Sequence, residues 1–376
     1  MPWEVVAMSE IRRDFVDAVL VAGDPMARAC RRFGISRKTG YKWIFRFQQN
    51  PQQPLQDQSR RPRRSPRQTP AKVQQRLVEA HQTWGWGARK VRQIVKNQGL
   101  QVPSVNTVQT ILARAGCTRS APAAPATTQR FERAEPNDLW QMDFKGPLEI
   151  ARIRMHPLTL QDDHSRFLLA ISLCENHTHA LVWNKLWDCF GEYGLPRQIL
   201  CDNEFSTGRQ APRTLTWLEA NMLRLGIQPV PGRPYHPQTQ GKVENVHASY
   251  ERELLPRANR DSRELFEADL QRYRRDFNLL RPHEALGLAV PASRWRPSSR
   301  PRPSKLPPLE YPNGSQLRKV STIGDIRWRA CRIKAGHGLA GQYVRVEETD
   351  QGVAVYYADY RVRLIPQHSM IKGPML

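Results

Sequence analysis

The sequence predicts a protein of several domains: a helical N-terminal region, a central α/β domain and a small C-terminal β domain. Apolar residues recur at spacings of three and four through much of residues 1–118, as they do along one face of a helix. Apolar runs that end in carboxylates follow in the centre, and short β-type runs separated by Gly, Asp or Asn fill the C-terminal end. At about 150 residues per domain, 376 residues suggest two to four domains.

The composition is that of a basic protein with enough apolar residues to build cores. There are 58 Lys and Arg against 35 Asp and Glu, a formal net charge of +23, and 39% of the residues are hydrophobic. No apolar run approaches the roughly 20 residues of a bilayer span, and the first ten residues lack the pattern of an export signal. The six cysteines include no C-x-x-C pair, which argues against a disulfide framework and a structural zinc site. We therefore expect a soluble cytoplasmic protein with no membrane partner.

The positive charge is concentrated at the two ends of the chain. Residues 1–135 hold 24 Lys and Arg against 9 Asp and Glu, and residues 291–376 hold 15 against 6. Residues 136–290 hold 19 against 20 and are nearly neutral. This separation indicates that the ends bind a polyanion, above all nucleic acid, while the centre has another task. A basic surface that is merely solvated is the alternative.

Residues 1–50 are interpreted as a helix-turn-helix DNA-binding domain. Their apolar spacing predicts three helices: Ser9–Leu20, Pro25–Phe33 and Arg37–Gln48. Gly34 suits the turn before the third helix, and Ser36 suits its N-cap. The outward side of this helix presents residues able to contact phosphates and base edges: Arg37, Lys38, Thr39, Tyr41 and Lys42. An ordinary three-helix bundle has the same apolar pattern, so the basic face is what favours DNA.

A basic, Pro-rich linker and a second helical domain follow. Residues 51–69 have almost nothing to bury, and their arginines either follow DNA phosphates or stay solvated: Arg60, Arg61, Arg63 and Arg64. Residues 70–118 predict a second helix-turn-helix domain, with helices over Ala71–His81, Ala88–Asn97 and Ser104–Ala115. Residues 119–135 form the next linker. Two DNA-reading domains in tandem imply a long, composite site.

The nearly neutral centre holds three carboxylates on elements that we expect to converge. Asp143 lies in the strand-like run Leu139–Phe144, and Asp202 follows the apolar run Arg197–Cys201. Glu244 is expected about two turns into a helix that begins after a Pro-bounded loop. The carboxyl ends of strands are where open α/β sheets collect their ligands. Taken singly, each acid has a duller explanation as a turn residue, a cap or a solvated side chain.

Three such carboxylates between basic ends indicate a site for hard divalent cations. Oxygen ligands without a nearby Cys or His set favour magnesium or manganese over zinc. Two such ions about 4 Å apart can activate an attacking oxygen and stabilise the leaving oxygen of a phosphodiester. The centre therefore predicts metal-dependent phosphoryl transfer on nucleic acid.

Three motifs resemble the DDE motif of bacterial insertion-sequence transposases with a retroviral-integrase-type catalytic core: Met142–Phe144, Cys201–Asn203 and His236–Glu244. The third motif, His-Pro-Gln-Thr-Gln-Gly-Lys-Val-Glu, is the most specific. Asp162–Arg166 and Asn278–Gly287 are also similar to recurring segments of that group. The resemblance covers nearly the whole chain.

The resemblance implies an RNase H-like core over residues 136–290, in which Asp143, Asp202 and Glu244 bind two Mg²⁺ or Mn²⁺ ions. These ions would activate water to cut DNA at the ends of an element, and then the freed 3′-hydroxyl to attack target DNA. The partners implied are double-stranded DNA, as terminal repeats and as target, and further copies of this chain in a homo-oligomer on DNA. The location implied is the bacterial cytoplasm, in association with the nucleoid.

Some residues near these motifs depart from the family pattern or have other expected roles. Glu204 stands where relatives often have Gly and is a competing metal ligand, and Asn245 stands where many have Arg, which would weaken a DNA contact. Lys242 is expected either to contact a phosphate or to be solvated. Asp162 and Asp163 are expected to be structural.

The C-terminal region changes composition again. Residues 291–312 are dense in Pro, Ser and Arg and predict a mostly extended linker that lies on DNA. Residues 313–376 predict a small SH3-like β-barrel of five strands: Gln316–Val320, Ile326–Ile333, Gly341–Glu347, Gly352–Ala358 and Tyr360–Ile365.

The sequence therefore predicts a DNA transposase that binds element ends and performs strand cleavage and strand transfer. Two alternatives stay open. One is a catalytically inactive, transposase-derived DNA-binding regulator, and the other is a ribonuclease that uses the same core on RNA–DNA hybrids. Magnesium-dependent nicking distinguishes the first, and a preference for DNA ends over hybrid duplex distinguishes the second.

Overall fold

The computed structural model describes residues 7–52, 55–57, 68–117, 132–201, 205, 214–232, 241–329 and 331–366. The chain divides after residue 68 into two compact units, residues 1–68 and 69–376. Among the helices in the described ranges, none combines the length and the apolar character that crossing a bilayer requires.

The first unit is a three-helix domain. Its helices are α1 Met8–Leu20, α2 Met26–Arg32 and α3 Arg37–Gln49, close to the predicted bounds. Gly34 takes a positive φ of 66° in the turn between α2 and α3, where a residue without a Cβ avoids strain. Ser36 Oγ accepts a hydrogen bond from the Thr39 N–H at 3.2 Å and caps α3. The helices bury one apolar core, which includes Phe15, Val16, Cys30, Trp43 and Ile44.

The second unit begins with another three-helix domain, made of α4 Ala71–Trp84, α5 Ala88–Asn97 and α6 Val105–Arg114. Its amphipathic helices bury Leu77, Val91, Val95, Val108 and Leu112 in a separate core. The three helices occur where the sequence predicts them. The function of this domain in DNA binding stays a prediction.

A mixed β-sheet follows, and its strands are β1 Leu139–Phe144, β2 Leu148–Ile150, β3 Ile153–Asp162, β4 Leu168–Cys174, β5 Gln198–Cys201 and β6 Gln228–Pro231. Strand β1 is central, with β3 antiparallel on one side and β5 parallel on the other. Strand β4 extends the sheet beyond β3, β6 extends it beyond β5, and short β2 pairs with the start of β3. This arrangement agrees with the expected RNase H-like core.

Helices cover both faces of this sheet. Helices α7 His179–Tyr193 and α8 Trp217–Arg224 pack on the face that carries Trp140 and Met142. Helices α9 Gly241–Glu253 and α10 Arg263–Leu279 pack on the opposite face through Val246, Tyr250, Phe266 and Phe277. The sheet is therefore the middle layer of a three-layer core.

The second helical domain is joined to this core by a buried polar contact. Trp86 Nε1 donates a hydrogen bond to Glu253 Oε2 at 2.9 Å, and Arg281 donates to both oxygens of the same carboxylate at 2.7–2.8 Å. Arg281 is 4% exposed and also donates to Ser249 Oγ. The carboxylate at the end of α9 thus binds both the indole of the helical domain and a buried guanidinium of the core.

The segment 291–312 follows the surface of the core. The Arg300 guanidinium donates to the carbonyl of Leu225 at 2.7 Å, at the end of α8. The Arg302 guanidinium donates to the carbonyl of Trp187 in α7 at 2.9 Å. These hydrogen bonds hold Arg300 and Arg302 on the core, and the expected path of the segment along DNA stays a prediction.

The C-terminal residues form two antiparallel sheets. One contains β7 Gln316–Lys319, β10 Tyr343–Thr349, β11 Gly352–Tyr357 and β12 Tyr360–Pro366, and the other is the hairpin of β8 Asp325–Trp328 and β9 Cys331–Lys334. The predicted single strand Ile326–Ile333 is wrong, because Arg329 takes a positive φ of 51° and the chain reverses. Hydrogen bonds do not close the described strands into a ring, so the SH3-like barrel is not confirmed.

This C-terminal domain shares an apolar core with the region of α8. Leu215 and Ala220 are buried together with Val320, Ile326 and Trp328. At the same junction Gly338 lies so close to the preceding domain that a Cβ there would stand 2.2 Å from the Leu215 carbonyl oxygen. The two domains therefore form a continuous hydrophobic interior.

We predict that Gly40→Ala destabilises the first unit. A Cβ at this position of α3 would lie 2.7 Å from Cys30 Sγ and 2.9 Å from the Phe15 ring. Phe15 of α1 and Cys30 of α2 must therefore move away from α3. Overpacking of this kind costs about 1–3 kcal/mol. Hydrogen exchange of the α1–α3 amides in the full chain should become faster, whereas Tyr41→Ala, at a site that is 60% exposed, should leave it nearly unchanged. Equal protection in Gly40→Ala and wild type would contradict the close packing.

We also predict that two ion pairs of equal length differ in their effect on stability. Glu253→Gln leaves the Arg281 charge buried without an anion, and such a loss costs about 3–5 kcal/mol. The matched change Arg263→Gln removes two exposed pairs, with Glu175 at the same 2.7 Å and with Glu267 at 3.1 Å, each of which contributes less than about 1 kcal/mol. Urea unfolding of the full chain measures both changes. A larger effect of Arg263→Gln would refute this ranking.

Candidate active site

Asp143 lies on the central strand, on the sheet face that α9 covers. Residues 139–142 of β1 are buried, whereas Asp143 keeps 19% of its side chain exposed. Because side chains alternate along a strand, Gln141 and Asp143 share this face, while Trp140 faces the apolar core on the other side. Thr159 of β3 stands directly opposite Asp143.

Glu244 is exposed and lies in the first turn of α9. The structure describes α9 from Gly241 onward, and the expected start of the helix after Pro237 lies outside the described residues. Val243 and Val246 on either side are buried, so the helix packs on the sheet while Glu244 stays in contact with solvent. A carboxylate in a first turn is also favoured by the partial positive charge of the helix N-terminus.

Polar contacts at three positions along α9 show that the helix runs beside β1. They join Lys242 with Asp163 at 2.5 Å, His247 with Asp143 at 3.9 Å, and Glu251 with Lys145 at 2.5 Å. Glu244 lies between the first two of these contacts. The structure therefore brings Glu244 and Asp143 to the same stretch of the sheet face.

His247 is a residue of this region that the sequence analysis missed. Its Nε2 lies 3.0 Å from Thr159 Oγ1, and its Nδ1 faces the Asp143 carboxylate. Burial, reinforced by the nearby Lys145 charge, lowers the pKa of His247 to about 4, so the ring is neutral at pH 7. The signal that could have identified it is its spacing of three from Glu244, which places both on neighbouring positions of one helix face.

Asp163 connects β1 with α9. It is 1% exposed, and its carboxylate accepts hydrogen bonds from Gln141 Nε2 at 2.7 Å, from the Arg133 N–H at 2.8 Å and from Lys242 Nζ at 2.5 Å. Burial lowers the pKa of Lys242 to about 8. The sequence predicts either a phosphate contact or solvation for Lys242, whereas the structure gives its ammonium a buried protein carboxylate.

Asp162 shapes the turn between β3 and β4. Its Oδ1 accepts hydrogen bonds from the Ser165 N–H at 2.7 Å and the Ser165 hydroxyl at 2.6 Å, and its Oδ2 accepts one from the Asn137 N–H at 2.8 Å. Burial raises the pKa of Asp162. Its contacts agree with the structural role expected from the sequence.

Asp202 and Glu204 lie outside the described residues. Cys201, which precedes Asp202, ends strand β5, and this strand pairs in parallel with β1 so that Leu200 stands beside Gln141. Within the described ranges, no three or more His, Cys, Asp or Glu side chains form a group able to hold a metal ion. The structure thus gives the positions of two of the three predicted ligands.

The predicted DNA-binding residues fall into two groups. Arg37, Lys38, Tyr41 and Lys42 are exposed on α3, and Thr39 is half-buried with its hydroxyl 2.9 Å from Ser36 Oγ. The predicted linker residues lie outside the described part of the chain: Arg60, Arg61, Arg63 and Arg64. The exposed face of α3 is therefore open to a ligand.

Comparison with known families and sequences gives matches in the first helical domain and in the core. Models of the integrase core domain match residues 133–237 and 225–291, and a model of a helix-turn-helix domain matches residues 11–63. The Gag-Pro-Pol polyprotein of Simian retrovirus SRV-1 is 36% identical over 114 residues, which are 30% of this chain and 6% of that protein. The Gag-Pro-Pol polyprotein of Mason-Pfizer monkey virus is 35% identical, with the same coverage. The chain thus spans about 6% of the length of the curated relatives it matches.

Solved retroviral structures are also similar. A chain of the simian T-cell lymphotropic virus intasome in complex with PP2A regulatory subunit B56 gamma is 14% identical with a TM-score of 0.35, covering 77% of this chain and 99% of that chain. The HTLV-2 integrase catalytic core domain in complex with magnesium, in its dimeric form, is 14% identical with a TM-score of 0.31, covering 43% of this chain and 96% of that chain. The family models thus match an integrase core domain over residues 133–291 and a helix-turn-helix domain over residues 11–63, ahead of that core.

Proposed function

We propose that the protein is a DNA transposase that binds the ends of an insertion element and catalyses metal-dependent strand cleavage and strand transfer. Asp143, Asp202 and Glu244 are the proposed metal ligands and catalytic residues. The observation that carries this proposal is the path of α9 beside β1, which places Glu244 between contacts to Asp163 and Asp143. The integrase core match over the same residues supports the same chemistry.

The described part of the proposed site suits hard divalent cations. Asp143 and Glu244 offer carboxylate oxygens with access to solvent, and these are the atoms that Mg²⁺ and Mn²⁺ prefer. When bound, two such ions supply activation of the attacking oxygen and stabilisation of the leaving oxygen in phosphoryl transfer. The chain itself contributes the positions of the carboxylates and a sheet that fixes them.

The remaining parts of the chain are proposed to bind and arrange DNA. The exposed face of α3 is proposed to contact the element ends through phosphates and base edges, and the second helical domain to extend that site. Because the reaction joins two ends of an element to one target, we propose a homo-oligomer on DNA. The proposed location is the bacterial cytoplasm, at the nucleoid.

We predict that Asp143→Asn and Glu244→Gln each abolish magnesium-dependent nicking of duplex DNA that carries the sequences flanking the gene. Removing a ligand charge from a metal site that stabilises the transition state should slow nicking at least about 100-fold. Glu264→Gln, a matched change of an exposed acid on α10, should leave the rate within about twofold. Gel analysis of the nicked strand measures all three.

The same assay separates the proposal from its alternatives. A regulator without catalytic activity gives no magnesium-dependent nicking by the wild-type chain. A ribonuclease cuts an RNA–DNA hybrid faster than the duplex end. Nicking that persists unchanged in Asp143→Asn and Glu244→Gln would refute the assignment of the ligands.

We predict that Arg37→Ala weakens binding to duplex DNA and lowers its salt dependence. Each lost phosphate contact reduces the slope of log K against log salt by about 1. Arg275→Ala removes the same charge from an exposed position of α10 and should change neither quantity. Fluorescence anisotropy across a salt series measures the slope. Equal slopes for Arg37→Ala and wild type would remove Arg37 from the interface.

A further inference from the structure

Asp163 is a buried acid with three hydrogen-bond donors around its carboxylate, and the reaction proposed above does not use it. It is 1% exposed, and its side chain binds Gln141, Lys242 and the Arg133 backbone. Its own N–H donates to the Leu139 carbonyl at 2.9 Å, at the first residue of β1. One carboxylate therefore ties the start of the central strand to the start of α9.

The partners of Asp163 have a specific relation to the proposed ligands. Gln141 precedes Asp143 by two residues, which on a strand is one step of about 6.6 Å along the same face. Lys242 precedes Glu244 by two residues, which on a helix is a rise of about 3 Å within one turn. The carboxylate thus holds each of the two elements close to the residue that bears its proposed ligand.

We propose that Asp163 is a positioning residue: by binding Gln141 and Lys242 together it fixes the register of α9 along β1 and so sets where Glu244 stands relative to Asp143. This inference rests on the function proposed above. The apolar contacts of Val243 and Val246 hold α9 on the sheet, but they are non-directional and allow the helix to shift along it. The hydrogen bonds of Asp163 restrict that shift at the start of the helix, nearest to Glu244, while the contacts of His247 and Glu251 act further along it.

The energetics favour a positioning role over a purely stabilising one. Removing two charges from water carries a large desolvation penalty, and apolar residues of similar volume often stabilise a core as well or better. The ion pair fixes the relative position of its two side chains, because its hydrogen bonds have defined lengths and angles. A displacement of about 1 Å at a reacting centre can slow a reaction about 100-fold, so a fixed register has a value that stability does not measure.

The test uses the full chain with the double change Asp163→Asn and Lys242→Gln, which removes both charges of the ion pair together and leaves neither partner as an unpaired charge. Spin labels at Asn245→Cys on α9 and Glu149→Cys on β2 report the distance between helix and sheet, with Cys117→Ser and Cys331→Ser removing the two native thiols that are not buried. Calorimetry measures Mn²⁺ binding, and the nicking assay measures the rate at saturating Mn²⁺. The matched control is Glu175→Gln with Arg263→Gln, which neutralises an exposed pair.

The positioning role predicts an unfolding temperature within about 3 °C of wild type together with a distribution of label distances at least about twofold broader. It further predicts Mn²⁺ binding and nicking that are both weaker by about tenfold or more, and no change in the control. Should the double variant fail to fold, Gln141→Leu, which keeps the ion pair and removes only the side-chain link from Asp163 to β1, must produce the same broadening.

Two results would overturn the proposal: an unchanged distance distribution, or a broadened one with Mn²⁺ affinity and nicking within about twofold of wild type. Failure of the proposed function has a different signature. In that case Asp143→Asn and Glu244→Gln bind Mn²⁺ with the same affinity as the wild type. The label distances alone then decide whether Asp163 fixes the position of the helix.

Discussion

The packing of α9 on the central sheet determines the arrangement of the candidate site. Val243, Val246 and Tyr250 supply the apolar contact, while the ends of the helix are held by polar contacts of its own: Lys242 at the start and Glu253 at the finish. An exposed acid in the first turn then stands beside the central strand. The position of that acid depends on the whole length of the helix.

Glu253 extends this dependence beyond the core. Its carboxylate accepts hydrogen bonds from Arg281 within the core and from Trp86 in the second helical domain. The helix that bears Glu244 therefore carries, about 13.5 Å further along its axis, the contact that joins a proposed DNA-reading domain to the integrase core domain. A displacement of the second helical domain would act directly on α9, because the Trp86 indole is hydrogen-bonded to Glu253 of that helix.

Much of the fold could be predicted from the sequence, because it follows from the local spacing of apolar residues. The spacing of apolar residues predicts the three helices of each helical domain and strand β1. Gly34 indicates the turn between α2 and α3, because few other residues adopt a positive φ. The carboxylates Asp143 and Glu244 could be selected by type and motif. Their placement beside each other required the structure.

Contacts between residues that are far apart in the sequence could not be predicted from it. Asp163 binds partners 22 and 79 residues away, and the partners of Arg300 and Arg302 are carbonyl oxygens, which every residue carries and which leave no trace in composition. A segment dense in Pro and Arg therefore resembled a free linker. The shared interior of α8 and the C-terminal sheets has a consequence for dissecting this chain: removal of the last domain would expose Leu215 and Ala220 to water, so a core cut off before that domain presents an apolar patch.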